Sequence, residues 1–395
     1  MYVNPFGDKI DPLSLFVNSF FESASGFTTT GLSMITQPEL LPQSFDFYRS
    51  YTQWIGGLSF VYLVVMLFYP ERKLVHMRGM IGGGILRSKQ LIITISIIFT
   101  IYAAVLGTLV YLLGNINYLD SISIVISAIS GGGFVPTSTF LSDENVADMM
   151  VLITGMLISA LPFAFHYAVF SKQVKTTLLR PEIFVYFGII LISIVAFHFL
   201  LSEQVDWLTS AFHAVSASTT SGFQYINMSL IPYESKILLI IVMLIGGCAF
   251  SSAGGIKVVR LLQIVQKVTR RKIPIDASSR SISSVSSRYN KSYSNYEGKA
   301  VRFREDKTLR ESLLVICLFI LVSFITGIAL SYLSEHNFID SLFESVSALT
   351  TTGLSTGITT LDLDLVSKTF LIINMIVGRF EIIAILYIFF SFLRR

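Results

Sequence analysis

Apolar residues along this chain fall into runs of two lengths. Seven runs, near 51–69, 91–113, 147–170, 182–201, 235–263, 309–333 and 366–393, are close to or above the roughly 20 residues that a helix needs to cross a bilayer. Four others, near 12–24, 119–129, 206–217 and 338–349, are too short to span and read as re-entrant or interfacial helices. A polar loop follows each short run and leads into a long one. The order of long helix, short helix, loop and long helix then recurs. It predicts an all-α membrane protein built from helix–pore loop–helix repeats with pseudo-fourfold symmetry around a central pore. The repeats are expected at 1–80, 81–172, 173–265 and 309–395, with 266–308 as a linker.

The loops share one pattern. They read Ser25-Gly-Phe-Thr-Thr-Thr-Gly31-Leu32, Ser127-Ala-Ile-Ser-Gly-Gly-Gly133-Phe134, Ser216-Ala-Ser-Thr-Thr-Ser-Gly222-Phe223 and Ser347-Ala-Leu-Thr-Thr-Thr-Gly353-Leu354. In each, a Ser lies six residues before a Gly and an apolar residue follows it. Four copies of one loop suggest four walls around one axis. Gly31, Gly133, Gly222 and Gly353 permit backbone angles that leave their carbonyls free to face inward. The preceding pairs, Thr29 and Thr30, Gly131 and Gly132, Thr220 and Ser221, and Thr351 and Thr352, would supply further carbonyl rungs to replace a cation's water shell. Three consecutive glycines predict a soft second wall, and hence weaker selectivity than in a dedicated channel. Packing of small residues without an ion path is the plainer alternative.

Composition sets these loops in a membrane. Hydrophobic residues make up 53% of the chain, charged residues 14%, and mean hydropathy is +0.69, which excludes an ordinary soluble domain. Segments 70–90, 171–182, 257–311 and Arg394-Arg395 carry 24 of the 29 Lys and Arg. The positive-inside rule makes that side, and with it the C-terminus, cytoplasmic. The opposite side holds Lys9, Arg49, Lys236 and Lys368 against 17 acidic residues, a rim that would concentrate cations. Cys248 and Cys317 suggest neither a disulfide nor a metal site. His76, His166, His198, His213 and His336 are scattered and read as no ligand set.

Three other features stand out. The linker 266–308, rich in Ser, Arg, Lys and Tyr, reads as a flexible cytoplasmic segment: either a solvated loop or a docking strip for a partner or anionic lipid. Gly246–Gly255 interrupts an apolar run with four glycines, where a uniform helix would be poorly stable. Such a stretch is either a close helix contact or unwound backbone facing a cavity. Arg379 is the one Lys or Arg deep inside an apolar run. Glu381, two residues on, cannot face it on a helix, so its partner must lie elsewhere.

Together these features resemble the Trk/Ktr/HKT superfamily of potassium transporters, specifically its membrane pore subunit. Beyond the four loops, the resemblance rests on Arg49-Ser-Tyr-Thr-Gln-Trp54-Ile-Gly-Gly57, Gly246-Gly-Cys-Ala-Phe-Ser-Ser-Ala-Gly-Gly255-Ile-Lys257 and Gly378-Arg379-Phe-Glu381. It implies potassium uptake, with glycine in all four loops going with selectivity for potassium over sodium. The potassium ion is substrate, at the filter residues alone, and no cofactor is expected in this chain. The resemblance also implies a gate below the filter, involving Gly246, Gly247, Ser251, Ser252, Gly254, Gly255, Lys257 and Arg379. The implied partners are membrane lipid, a second copy of the chain and a cytoplasmic nucleotide-binding ring of the TrkA/KtrA type, but no nucleic acid. A full family member has a membrane helix before the first short one, so eight spans are expected where seven are read here. A sodium- or proton-coupled symporter with the same pore is the alternative. An enzyme is not expected, because no H-E-x-x-H or Ser-His-Asp pattern is present beyond chance.

Overall fold

The computed structural model describes residues 6, 11–68, 88–114, 116–138, 145–170, 181–201, 205–269 and 291–380. All regular structure among them is helical. The expected short helices form as α1 (Pro12–Phe27), α4 (Tyr118–Ser130), α8 (Trp207–Ser218) and α12 (Phe338–Leu349). Three have side-chain N-caps that satisfy otherwise orphaned N–H groups. Asp11 accepts from Ser14, Asn117 from Asp120, and Asp206 from Leu208 and Thr209. The bonds from Ser14 hold the exposed Asp11 carboxyl below its usual pKa.

The remaining α-helices are α2 (Gln43–Phe68), α3 (Ser88–Leu113), α5 (Val146–Ala160), α6 (Phe163–Phe170), α7 (Pro181–Leu201), α9 (Tyr233–Ile245), α10 (Val258–Thr269), α11 (Lys291–Ser334) and α13 (Leu365–Arg379). Two predicted runs are broken. That at 147–170 stops at Leu161-Pro162, as a proline without an N–H requires. That at 235–263 opens over 246–257, where the glycines fall. Helix α10 runs to Thr269 and helix α11 begins at Lys291, so residues 266–269 and 291–308 of the expected flexible linker are helix; residues 270–290 lie outside the described residues.

Packing closes a ring. Helix α2 touches α1 and α4, α5 touches α4 and α8, α9 touches α8 and α12, and α13 touches α12 and α1. Each such helix therefore wedges between its own short helix and the next. Small residues permit the approach. A Cβ at Gly56 would collide with Phe27 O, and one at Gly378 with Leu349 O. Outward faces are apolar: Phe184, Leu191, Ile192 and Phe199 on α7, and Leu321, Ile325 and Ile328 on α11, are all more than half exposed. Such a girdle suits lipid and exceeds what a water-soluble surface carries. Helices Ile93–Leu113, Pro181–Leu201 and Leu309–Ser334 are long and apolar enough to cross a bilayer. The protein is a multi-pass membrane protein.

Candidate functional site

The four short helices end in the same turn. The N–H one residue before each filter glycine donates to the carbonyl of the Ser six residues before it. These bonds are Thr30 to Ser25 (2.9 Å), Gly132 to Ser127 (2.8 Å), Ser221 to Ser216 (3.0 Å) and Thr352 to Ser347 (2.8 Å). Each turn needs a left-handed residue two before the glycine. Thr29, Gly131, Thr220 and Thr351 take it, with φ of 55°, 72°, 52° and 51°. This resembles a Schellman cap. Threonine rarely adopts positive φ, at a cost of about 1–2 kcal/mol, so three such threonines in register mark backbone held for a purpose.

Gly31, Gly133, Gly222 and Gly353 are also left-handed, with φ of 89°, 82°, 76° and 94°, while the residue between is not. Alternating signs of φ turn successive carbonyls to one side of the chain. The loops also meet in cyclic order. A Cβ at Gly31 would strike the carbonyl of Gly132, one at Gly133 that of Ser221, one at Gly222 that of Thr352, and one at Gly353 that of Thr30. The four loops thus close on themselves as one ring, with no room for a side chain at any of the four glycines. All twelve filter residues named from the sequence are brought together in it. The hydroxyls of Thr29 and Thr351 are buried and have no hydrogen-bond partner among the described residues, leaving their oxygens available to a ligand.

Directly against this ring lies the interrupted segment between α9 and α10. Its stem is laced by Ile256 N–H to Leu244 O and Lys257 N–H to Ile245 O, both 2.9 Å. Its crown touches two filter loops. Gly254 N–H donates to Thr220 Oγ1 (2.6 Å), and a Cβ at Gly254 would strike the Thr350 carbonyl. Gly246 and Gly255 are left-handed and in backbone contact, and Gly247 abuts Ala160. Ser251 caps Cys248 O, Ser252 donates to Ser159 O, and Lys257 Nζ reaches Ala253 O. Arg379, at the end of α13, donates to Ser252 O (2.7 Å) and Gly56 O (3.3 Å), with its guanidinium 4.6 Å from the Phe60 ring centroid. Among the described residues it has no carboxylate partner; Glu381 lies outside them. All eight residues expected at the gate therefore share one assembly, and the charge is held by the Ser252 carbonyl of the interrupted segment and, more weakly, by the Gly56 carbonyl within α2.

The sequence profile of the family described as TrkH, cation transport protein, matches residues 10–393. The chain belongs to this TrkH family. It is 28% identical to an uncharacterized cation transporter of Methanocaldococcus jannaschii, over 95% of this chain and 76% of that protein. It is 30% identical to the Trk system potassium uptake protein TrkH of Halomonas elongata, over 64% of this chain and 56% of that one. The crystal structure of the potassium transporter TrkH from Vibrio parahaemolyticus superposes with a TM-score of 0.75 at 24% identity, covering 98% of this chain and 79% of that one, so the fold is shared.

This TrkH-family chain also contains supports that sequence reasoning missed. Nine residues before each filter glycine stand Glu22, Ile124, His213 and Glu344. Glu22 accepts from Ser33 Oγ (2.8 Å) and Met34 N–H (2.5 Å), and pairs with Arg49 (3.3 Å). Glu344, fully buried, accepts from Ser355 Oγ (2.8 Å) and the N–H groups of Thr356 (3.1 Å) and Thr359 (3.2 Å). His213 holds the third loop: Nδ1–H donates to Thr209 O, and Nε2 accepts from Tyr225 and Ile226 N–H. The signal was a polar residue at one repeated offset. Lys236 and Lys368, expected on the solvated outer side, are 2% exposed and stitch the ring's seams. Lys236 pairs with Asp340 at 2.6 Å, and Lys368 donates to Asn18 and Leu361 O, both at 2.8 Å. Among the described residues no cluster of His, Cys, Asp and Glu could hold a metal ion.

Proposed function

We propose that this chain conducts potassium into the cell through a pore lined by Thr29–Gly31, Gly131–Gly133, Thr220–Gly222 and Thr351–Gly353. The closed ring of four glycine turns carries this reading, because it aligns backbone carbonyls where side chains are excluded. Helix C-termini aimed at the ring add partial negative charge that favours a cation. The relatives described as potassium uptake proteins support the choice of ion. The segment 246–257, tethered by Arg379, acts as the gate on the cytoplasmic side of the filter. The chain works as a homodimer in the cell membrane with its C-terminus in the cytoplasm. A nucleotide-binding ring of the TrkA/KtrA type, docked on its basic face, sets the position of the gate. The chain performs no catalysis and carries no cofactor.

Rubidium uptake into liposomes holding the purified protein tests this reading. Uptake driven by voltage alone, blocked by potassium and weakly by sodium, is expected. Acceleration by a sodium or proton gradient at fixed voltage would make the protein a symporter. Absence of cation flux would refute the pore.

A further inference from the structure

The second filter loop lacks two supports that the others have. Loops one, three and four each carry a hydroxyl ladder, Thr28 to Thr30 (2.7 Å), Thr219 to Ser221 (3.0 Å) and Thr350 to Thr352 (2.7 Å). In loop two the matching residue is Gly132, which has no hydroxyl. The polar anchor nine residues before the glycine is also missing there, being Ile124. By composition this wall should be the soft one.

Gln53 of α2, fully buried, occupies the place left open. Its Nε2 donates to Gly132 O at 2.8 Å. Its Oε1 accepts from Ser127 Oγ at 2.7 Å and faces Phe134 N–H at 3.4 Å. A Cβ added at Gly132 would meet Gln53 Cδ, Oε1 and Nε2 and nothing nearer. One primary amide thus replaces a missing side chain from a distance of 79 residues. It also bonds one of the four carbonyls at its rung, so this wall differs electrically from the other three.

We propose that Gln53 is the positioning residue that stiffens the second filter wall and thereby sets discrimination between potassium and sodium. The proposal deepens the pore reading and rests on it. A loop of three glycines has many backbone states of similar energy, and without Gln53 its carbonyls can close in on the smaller sodium ion. The complementary design is printed in the other loops. With Gln53→Ala, the space beside Gly132 opens, and Gly132→Thr would rebuild the hydroxyl ladder against Ser130. The backbone at Gly132 is not left-handed, so threonine fits there without strain.

The test is reversal potentials of the full chain in liposomes under mixed potassium and sodium, with folding followed by thermal melting. Gln53→Ala should lower the potassium-to-sodium permeability ratio about tenfold, the equivalent of ~1.4 kcal/mol. Gly132→Thr alone collides with Gln53 and should also lower it. The double variant should recover most of the wild-type ratio, which a merely structural role of Gln53 would not produce. A folded Gln53→Ala protein with an unchanged ratio would overturn the proposal. Should Gln53→Ala not fold, the double variant decides: a wild-type ratio supports the proposal, while a low ratio or failure to fold overturns it. A wild type that shows no selective flux would instead sink the pore reading.

Discussion

Replacing Arg379 with Ala separates a gate from a scaffold. The guanidinium makes a 2.7 Å charge-assisted bond to Ser252 O, a weaker one of 3.3 Å to Gly56 O, and lies over Phe60. Taking about 2 kcal/mol for the first bond alone, its loss would shift the closed-to-open ratio of segment 246–257 about 30-fold. Basal rubidium uptake per folded molecule should therefore rise by a factor approaching that value where loop displacement limits flux. The structure also bears on folding. The groups left behind are carbonyls, which water can satisfy, and among the described residues no carboxylate is left alone. Folded yield on size-exclusion chromatography should stay near that of wild type. Arg379→Lys, with charge but a single donor head, should fall between the two. Reduced folding with unchanged flux per folded molecule would leave Arg379 as scaffolding and refute the reasoning.

Three further outcomes are expected. Gly31→Ser places a side chain at φ +89° against the Gly132 carbonyl, so sodium permeation should rise relative to potassium in reversal-potential measurements; an unchanged ratio in folded protein would remove Gly31 from the path. Gly255→Ala strains the stem of the gate at φ +75° away from the filter, and should change the rate of rubidium uptake while leaving ion preference constant; the opposite result would put the segment in the filter. Lys236→Met leaves Asp340 unpaired at the seam between α9 and α12, and should cost about 3 kcal/mol, less than a fully buried pair because the Asp340 side chain is 18% exposed. Thermal unfolding in detergent would read this as a fall of several degrees, and an unchanged midpoint would mean that the pair is idle.

The repeat architecture was legible because lipid imposes it. Run length alone separates spanning from re-entrant helices, while the caps at Asp11, Asn117 and Asp206 came only with the structure. The ring of four turns was legible because a left-handed turn with excluded side chains needs glycine at one offset, and the offset recurs four times. The partner of Arg379 was legible only by elimination. Spacing rules out Glu381, but nothing local names Ser252, which is 127 residues distant. Gln53, Lys236 and Lys368 were missed for the same reason. Lys236 and Lys368 sit near the starts of α9 and α13 in a region that counts as outer surface, which only the closed ring turns into a seam, and Gln53 lies well inside α2, where nothing local names Gly132, 79 residues away. The helical residues 291–308 were missed for another reason: their polarity resembles a linker, while the span that follows supplies an already formed helix to extend.

The supports also bear on how such a filter can vary. In a ring of four identical chains, every wall must carry the same anchors. Here the anchor position holds a carboxylate twice, an imidazole once and an isoleucine once, and the isoleucine wall is the one served by Gln53. Backbone geometry stays nearly equal across the loops: the left-handed φ values at the glycines span only 76° to 94°. Equal geometry held by unequal chemistry means that equivalent substitutions should have unequal effects. A lost carboxylate at Glu344 leaves several N–H and hydroxyl donors unmet, whereas a change at Ile124 touches no hydrogen bond of the filter. Fusing the four units into one chain thus lets each wall of the ring be adjusted by itself, at residues that lie outside the four loops.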